Sequence, residues 1–143
     1  MQNRAVQPRS RRPRIALVPL ILVVAAGLAG CAAGPTYSDL DRAATQSDVL
    51  PADVSTPAAE NMEPETVRFV GEKSGVQFYL SRAKEGGACL VAYRGVEPWV
   101  AGCGVDLKVG GQGLTARVVP DESELETGWT SIGHNVHAIG LPE

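Results

Sequence analysis

The side chains in this sequence that could do chemistry are few and scattered. Among its 143 residues are two histidines and three cysteines. His134 and His137 fall on a strand expected over 133–139. Three apart on a strand, they point to opposite faces, so they do not share a zinc or copper ion without a bulge. Ser131 lies close to His134 and carboxylates are plentiful, which is the raw material of a hydrolase triad. However, the run Gly128-Trp129-Thr130-Ser131-Ile132-Gly133 has one residue too many before its serine for a nucleophile elbow, and no strand-turn-helix pattern surrounds it. Asp121, Glu122, Glu124 and Glu126 could offer oxygens to calcium, but they lack the spacing and central glycine of a calcium loop, so a solvated acidic loop is the plainer reading. Gly110-Gly111-Gln112-Gly113 has no Lys-Ser or Lys-Thr after it and no helix to receive a phosphate, so it reads as a hairpin turn. No catalytic set, metal or cofactor is expected.

Four aromatic residues, Tyr79, Tyr93, Trp99 and Trp129, are the remaining candidates. Such a cluster is either core packing or an exposed recognition patch. The domain that carries them is poor in Phe, Leu and Ile, which favours core and leaves a binding patch as the alternative.

The cysteines divide into one and two. Cys31 ends the run Leu28-Ala29-Gly30-Cys31, preceded by an apolar stretch from Ile15 to Ala26 and a head carrying Arg4, Arg9, Arg11, Arg12 and Arg14. A basic head, an apolar middle and small residues before the cut make a signal peptide. With cysteine at the end the pattern is a lipobox, similar to that of bacterial lipoproteins, and by that likeness Cys31 becomes the lipidated first residue. The competing expectation is an uncleaved anchor, because no charge occurs between Ile15 and Ser38 and about 20 apolar residues cross a bilayer. Arg11-Arg12 hints weakly at twin-arginine export. Removing residues 1–30 leaves 113 and takes away five of the 13 basic side chains but none of the 16 acidic ones, so the formal charge goes from −3 to −8. Such a surface suits neither nucleic acid nor anionic lipid headgroups, so attachment to the membrane must come from the lipid. The two cysteines left over, Cys89 and Cys103, are expected to pair outside the cytoplasm.

Residues 31–64 are rich in proline and small or acidic residues and read as a mobile tether, with a short helix expected over 38–47. Those 33 residues after Cys31 would hold a domain about 30 Å from the membrane. From residue 65 to 143 short runs with period-two alternation, separated by glycine-rich or charged turns, predict an all-β domain: a small antiparallel meander of six to seven strands forming an open barrel or sandwich. Pairing Cys89 with Cys103 sets a hairpin in which Leu90 faces Gly102, Val91 faces Ala101, Ala92 faces Val100 and Tyr93 faces Trp99. A second hairpin is expected to place Val109 on Leu114, Leu107 on Ala116 and Asp106 on Arg117.

The order of Val67-Arg68-Phe69-Val70-Gly71, Cys89-Leu90-Val91, Trp99-Val100-Ala101-Gly102-Cys103, Leu107-Lys108-Val109-Gly110-Gly111 and Gly128-Trp129 resembles small lipoproteins and membrane-anchored proteins of actinobacteria over most of residues 38–139. The resemblance implies a fold and a location and brings no catalytic residues with it. The expected protein is a lipid-anchored module on the extracytoplasmic face of the cell membrane that binds an envelope protein or cell-wall component and no nucleic acid. An accessory or inhibitory subunit of an envelope complex is the alternative, with 39–51 ordering only on a partner. A small hydrolase using Ser131 and His134 stands behind both.

Overall fold

Each stretch of alternating residues folds as a strand because one set of side chains finds a common interior. A computed structural model describes residues 34–95, 100–111 and 113–141. Cys31 and Trp99 lie outside the described residues, and with them the lipidation site and the pairing expected between Tyr93 and Trp99. Eight strands are present among the described residues: β1 Arg68–Lys73, β2 Val76–Arg82, β3 Ala88–Tyr93, β4 Val100–Gly104, β5 Lys108–Gly111, β6 Leu114–Val118, β7 Thr130–Ser131 and β8 Val136–Ile139. Two short helices precede them, α1 Ser38–Asp41 and α2 Pro57–Asn61. The strands form two four-stranded antiparallel sheets, in the orders β1-β2-β3-β4 and β5-β6-β8-β7. The protein is thus all-β, an open sandwich with one or two strands more than expected.

The sheets pack on each other through Val76, Phe78 and Leu80 of β2, Leu90 of β3, Ala116 and Val118 of β6, and Val136 and Ala138 of β8. Glycines let the margins of the sheets approach. A Cβ on Gly102 of β4 would run into the Val109 side chain of β5, and one on Gly71 of β1 would sit 3.0 Å from the carbonyl oxygen of Ile132. Any side chain at those positions would push the sheets apart.

The disulfide hairpin has the expected register: Cys89 is bonded to Cys103 and faces it across β3 and β4, with Leu90 on Gly102, Val91 on Ala101 and Ala92 on Val100. The second hairpin is shifted by two residues from expectation. Lys108 faces Arg117, Val109 faces Ala116 and Gly111 faces Leu114. Only two residues therefore join β5 to β6, and Gly113 takes φ +84°, the positive φ that tight hairpins require. A shift of two keeps the same side chains on the core face, because the strand repeat is two. Asp106 still reaches Arg117, 3.4 Å away, as a diagonal neighbour.

The segment expected to be a mobile tether is packed against both sheets from Tyr37 onward. Tyr37 is 1% exposed and, with Leu40, closes one end of the inter-sheet core. Met62, 2% exposed, lies with Leu50, Val54 and Ala59 over the outer face of the β1–β4 sheet. Tyr37, Leu40, Leu50, Val54 and Met62 are the large apolar side chains that an otherwise small and polar stretch turns toward the sheets, and they are enough to bind it. The helix expected over 38–47 stops after Asp41, where Arg42 turns to extended backbone at φ −70° and ψ 153°.

Candidate functional site

The strongest polar constellation forms where this strap meets the edge of β1. Asp48 is buried, and its carboxylate accepts from both Arg42 guanidinium nitrogens (2.5 and 2.7 Å), from the Thr45 N–H (2.6 Å) and hydroxyl (3.0 Å), and from the Phe69 N–H (2.7 Å). The Arg42 guanidinium also donates to the Phe69 carbonyl at 2.9 Å. An acid and a base thus bond the two backbone groups of one residue at the edge of β1, as a further strand would. The Arg42 pairing, against the opposing cost of burial, holds the Asp48 carboxyl well below the usual carboxylate range. Edge groups satisfied this way are closed to strand addition.

A second knot ties the start of the strap to the other sheet. Asp39 accepts the N–H groups of His134 (3.1 Å) and Asn135 (2.7 Å), while its own N–H donates to Asn135 Oδ1 at 2.9 Å. Asn135, fully buried, donates through Nδ2 to the Val119 carbonyl and to Asp121. Ser38 N–H also bonds Asp121, at 2.9 Å. Burial pushes the Asp121 carboxyl up, but the hydrogen bonds from Asn135, Ser38 and Thr36 outweigh it and bring the group down to about 2.

This knot rearranges the histidines. Asp39 holds the N–H groups of His134 and Asn135, so β8 starts at Val136 and not at residue 133. His134 then sits in the connecting turn, with Nε2 3.5 Å from Asp121. The partner of Ser131 is His137, which faces it across β7 and β8, with Oγ 3.0 Å from Nδ1. Burial lowers the pKa of His137, favouring the neutral ring. A serine beside a neutral imidazole is one part of a nucleophilic site. The neighbouring backbone donors are already used, however: Ile132 and Gly133 N–H bond Val136 O, and His134 and Asn135 N–H bond Asp39. The contact gives a partner to a buried imidazole nitrogen and offers no set of donors for an oxyanion.

The aromatic candidates separate. Tyr79, 5% exposed, packs on Phe69 with ring centroids 5.5 Å apart, under the strap. Tyr93 is half-buried at the margin of the same cluster, and its hydroxyl donates to Asp53 of the strap at 2.8 Å. Trp129 lies beside the other sheet, with Lys108 Nζ 5.6 Å from its ring. The three described aromatics therefore make no single exposed patch. The disulfide sits beneath α2, with Cys103 Sγ 3.5 Å from the Ala58 carbonyl. Open grooves run along both flanks of α2. The one toward β4, of about 440 Å³, is lined by Pro57, Asn61, Ala101 and Cys103. The other, of about 260 Å³, is lined by Val49, Leu50, Met62 and Val67.

Asp121 and Glu122 head the acidic loop, and among the described residues no three His, Cys, Asp or Glu side chains converge to hold a metal. No described helix is long and apolar enough to cross a membrane. The residues of these contacts missed in the sequence are Tyr37, Asp39, Arg42 and Asp48, all in the stretch read as tether. The signal that could have found them is β3, Ala-Cys-Leu-Val-Ala-Tyr, whose unbroken apolar run demands cover on both faces. In comparisons with known proteins, no family model, no curated protein and no solved structure matches this chain.

Proposed function

We propose that this chain is a lipid-anchored module on the extracytoplasmic face of the cell membrane, attached through lipid on Cys31, which binds an envelope protein or cell-wall component without catalysis. The observation that carries the reading is the Cys89–Cys103 disulfide, which joins β3 to the edge strand β4. Protein disulfides persist in oxidising compartments, and the lipobox Leu28–Cys31 is the address for one. The third cysteine is thereby accounted for, since the other two are bonded to each other. A net charge of −8 after cleavage supports a protein or wall partner over nucleic acid. With the Phe69 groups on the β1 edge satisfied by Arg42 and Asp48 and the outer face of its sheet covered, the grooves flanking α2 are the recessed surface that side offers to a partner.

Intact mass and membrane fractionation test the reading. The chain from its host is expected to start at Cys31, to carry lipid mass and to stay with membranes, and Cys31→Ala is expected to lose both. A full-length, unmodified chain held in the membrane would replace the lipid with a transmembrane anchor.

A further inference from the structure

The packed strap changes what a lipid on Cys31 would do, and this inference rests on the lipid-anchored reading. We infer that the module is held close against a lipid surface in one orientation, with its strands upright and one end of the sandwich facing the bilayer. The pairing of the strands defines the two ends. Arg82 faces Ala88, Ala88 faces Gly104 and Val118 faces Val136 at one end, whereas Lys73 faces Val76 and Gly111 faces Leu114 at the other. The short connection from β4 to β5 puts the first set of both sheets together, and Val118 N–H bonds Leu107 O there.

The chain from Cys31 arrives at this first end. Tyr37 is buried there, its hydroxyl 3.4 Å from the Val105 carbonyl, and Ser38 N–H bonds Asp121. Thr36 is fixed too, because its carbonyl accepts from Asp121 N–H at 3.1 Å. Five residue steps separate Cys31 from Thr36, and fully extended they reach about 18 Å. A freely moving tether to residue 64 would have allowed about 30 Å on average and any orientation. The short lead forbids that distance, and its attachment at Thr36 brings the first end nearest the lipid. Gly34, Pro35, Thr36, Pro120 and Glu122 line one recess and form the surface next to the lipid. The far end, with Lys73 and Gly113, stands one strand length further out, about 20 Å.

The partner at the first end is therefore lipid, and the face free for an envelope partner is the side carrying α2 together with the far end. The acidic Asp121 and Glu122 within the lipid-facing surface make an uncharged or zwitterionic bilayer the better fit, since like charges repel.

The test uses the lipidated protein in phosphatidylcholine vesicles that carry a nitroxide on the lipid headgroup. Glu122→Cys and Lys73→Cys each add one free thiol on an exposed side chain for a fluorophore, while Cys31 is lipidated and Cys89 and Cys103 are bonded to each other. The Glu122 label is expected to lose most of its fluorescence on vesicle binding and the Lys73 label to keep it. Inserting a Gly/Ser stretch after Ala33 is expected to restore the Glu122 signal. Equal quenching of both labels on vesicle-bound protein, or no effect of the insertion, would overturn the orientation and leave the lipid anchor standing. A chain without lipid mass that fails to bind the vesicles would overturn the anchor and the orientation together.

Discussion

The two sheets have the same number of strands and the same antiparallel build, yet they live in different surroundings. In β6, Leu-Thr-Ala-Arg-Val, buried and half-buried residues alternate, as in a sheet with one wet face. In β3, Ala-Cys-Leu-Val-Ala-Tyr, five consecutive residues are buried. The difference comes from outside the sandwich: the strap within residues 34–67 shelters the outer face of the β1–β4 sheet, and among the described residues nothing comparable lies on the β5–β8 sheet. A sheet's sequence thus reports how many faces are covered, and a doubly apolar strand implies a further layer even where the chain offering it looks unstructured.

Substitutions on the two outer faces should separate sharply. Tyr79→Ala removes a buried ring from the outer face of the β1–β4 sheet and is expected to cost about 3 kcal/mol, read as a lower urea midpoint with unchanged slope. Met62→Ala, in the strap itself, is expected to cost about 2 to 3 kcal/mol by the same measurement, because the strap supplies half of that interface. An effect under about 0.5 kcal/mol would mean that the strap rests on the sheet without being part of the fold. Thr115→Ala, on the open face of the other sheet, is expected to stay within about 0.5 kcal/mol of the parent.

Acid should loosen the strap before it unfolds the sandwich. The Asp48 carboxyl sits well below its ordinary value of about 3.8 and Asp121 falls to about 2, so both contribute stability that is present above about pH 4 and lost as the pH falls toward their folded values. Hydrogen exchange at Phe69 and Ser38, whose N–H groups these carboxylates accept, is expected to rise between pH 4 and 2 ahead of exchange at Leu90 in the core. Asp48→Asn is expected to remove this acid response at Phe69 while that at Ser38 remains. Simultaneous exposure of all three amides would show that strap and sandwich form one cooperative unit.

Much of the fold was legible because it is local. The Cys89–Cys103 register follows from one covalent pair, and it survives in the structure through Leu90 on Gly102, Val91 on Ala101 and Ala92 on Val100. The second hairpin was legible only to within two residues. Sliding it by two moves no side chain between core and solvent, so the apolar pattern could not choose, and the turn at Gly113 did. The Ser131 and His134 pair failed for a different reason. Nearness in sequence suggested it, but the hairpin of β7 and β8 places His137 opposite Ser131 and leaves His134 in the turn.

What the sequence by itself determined was the all-β class and the disulfide, since each rests on short-range pattern or on cysteine count. The tertiary structure alone decided that residues 34–64 are part of the domain. Tyr37, Leu40, Leu50, Val54 and Met62 are too few and too widely spaced to show any period, and Asp39, Arg42 and Asp48 look like ordinary charges in a polar linker. Their role exists only once the sandwich presents an apolar face, an unsatisfied strand edge and the N–H groups of His134 and Asn135 for them to meet.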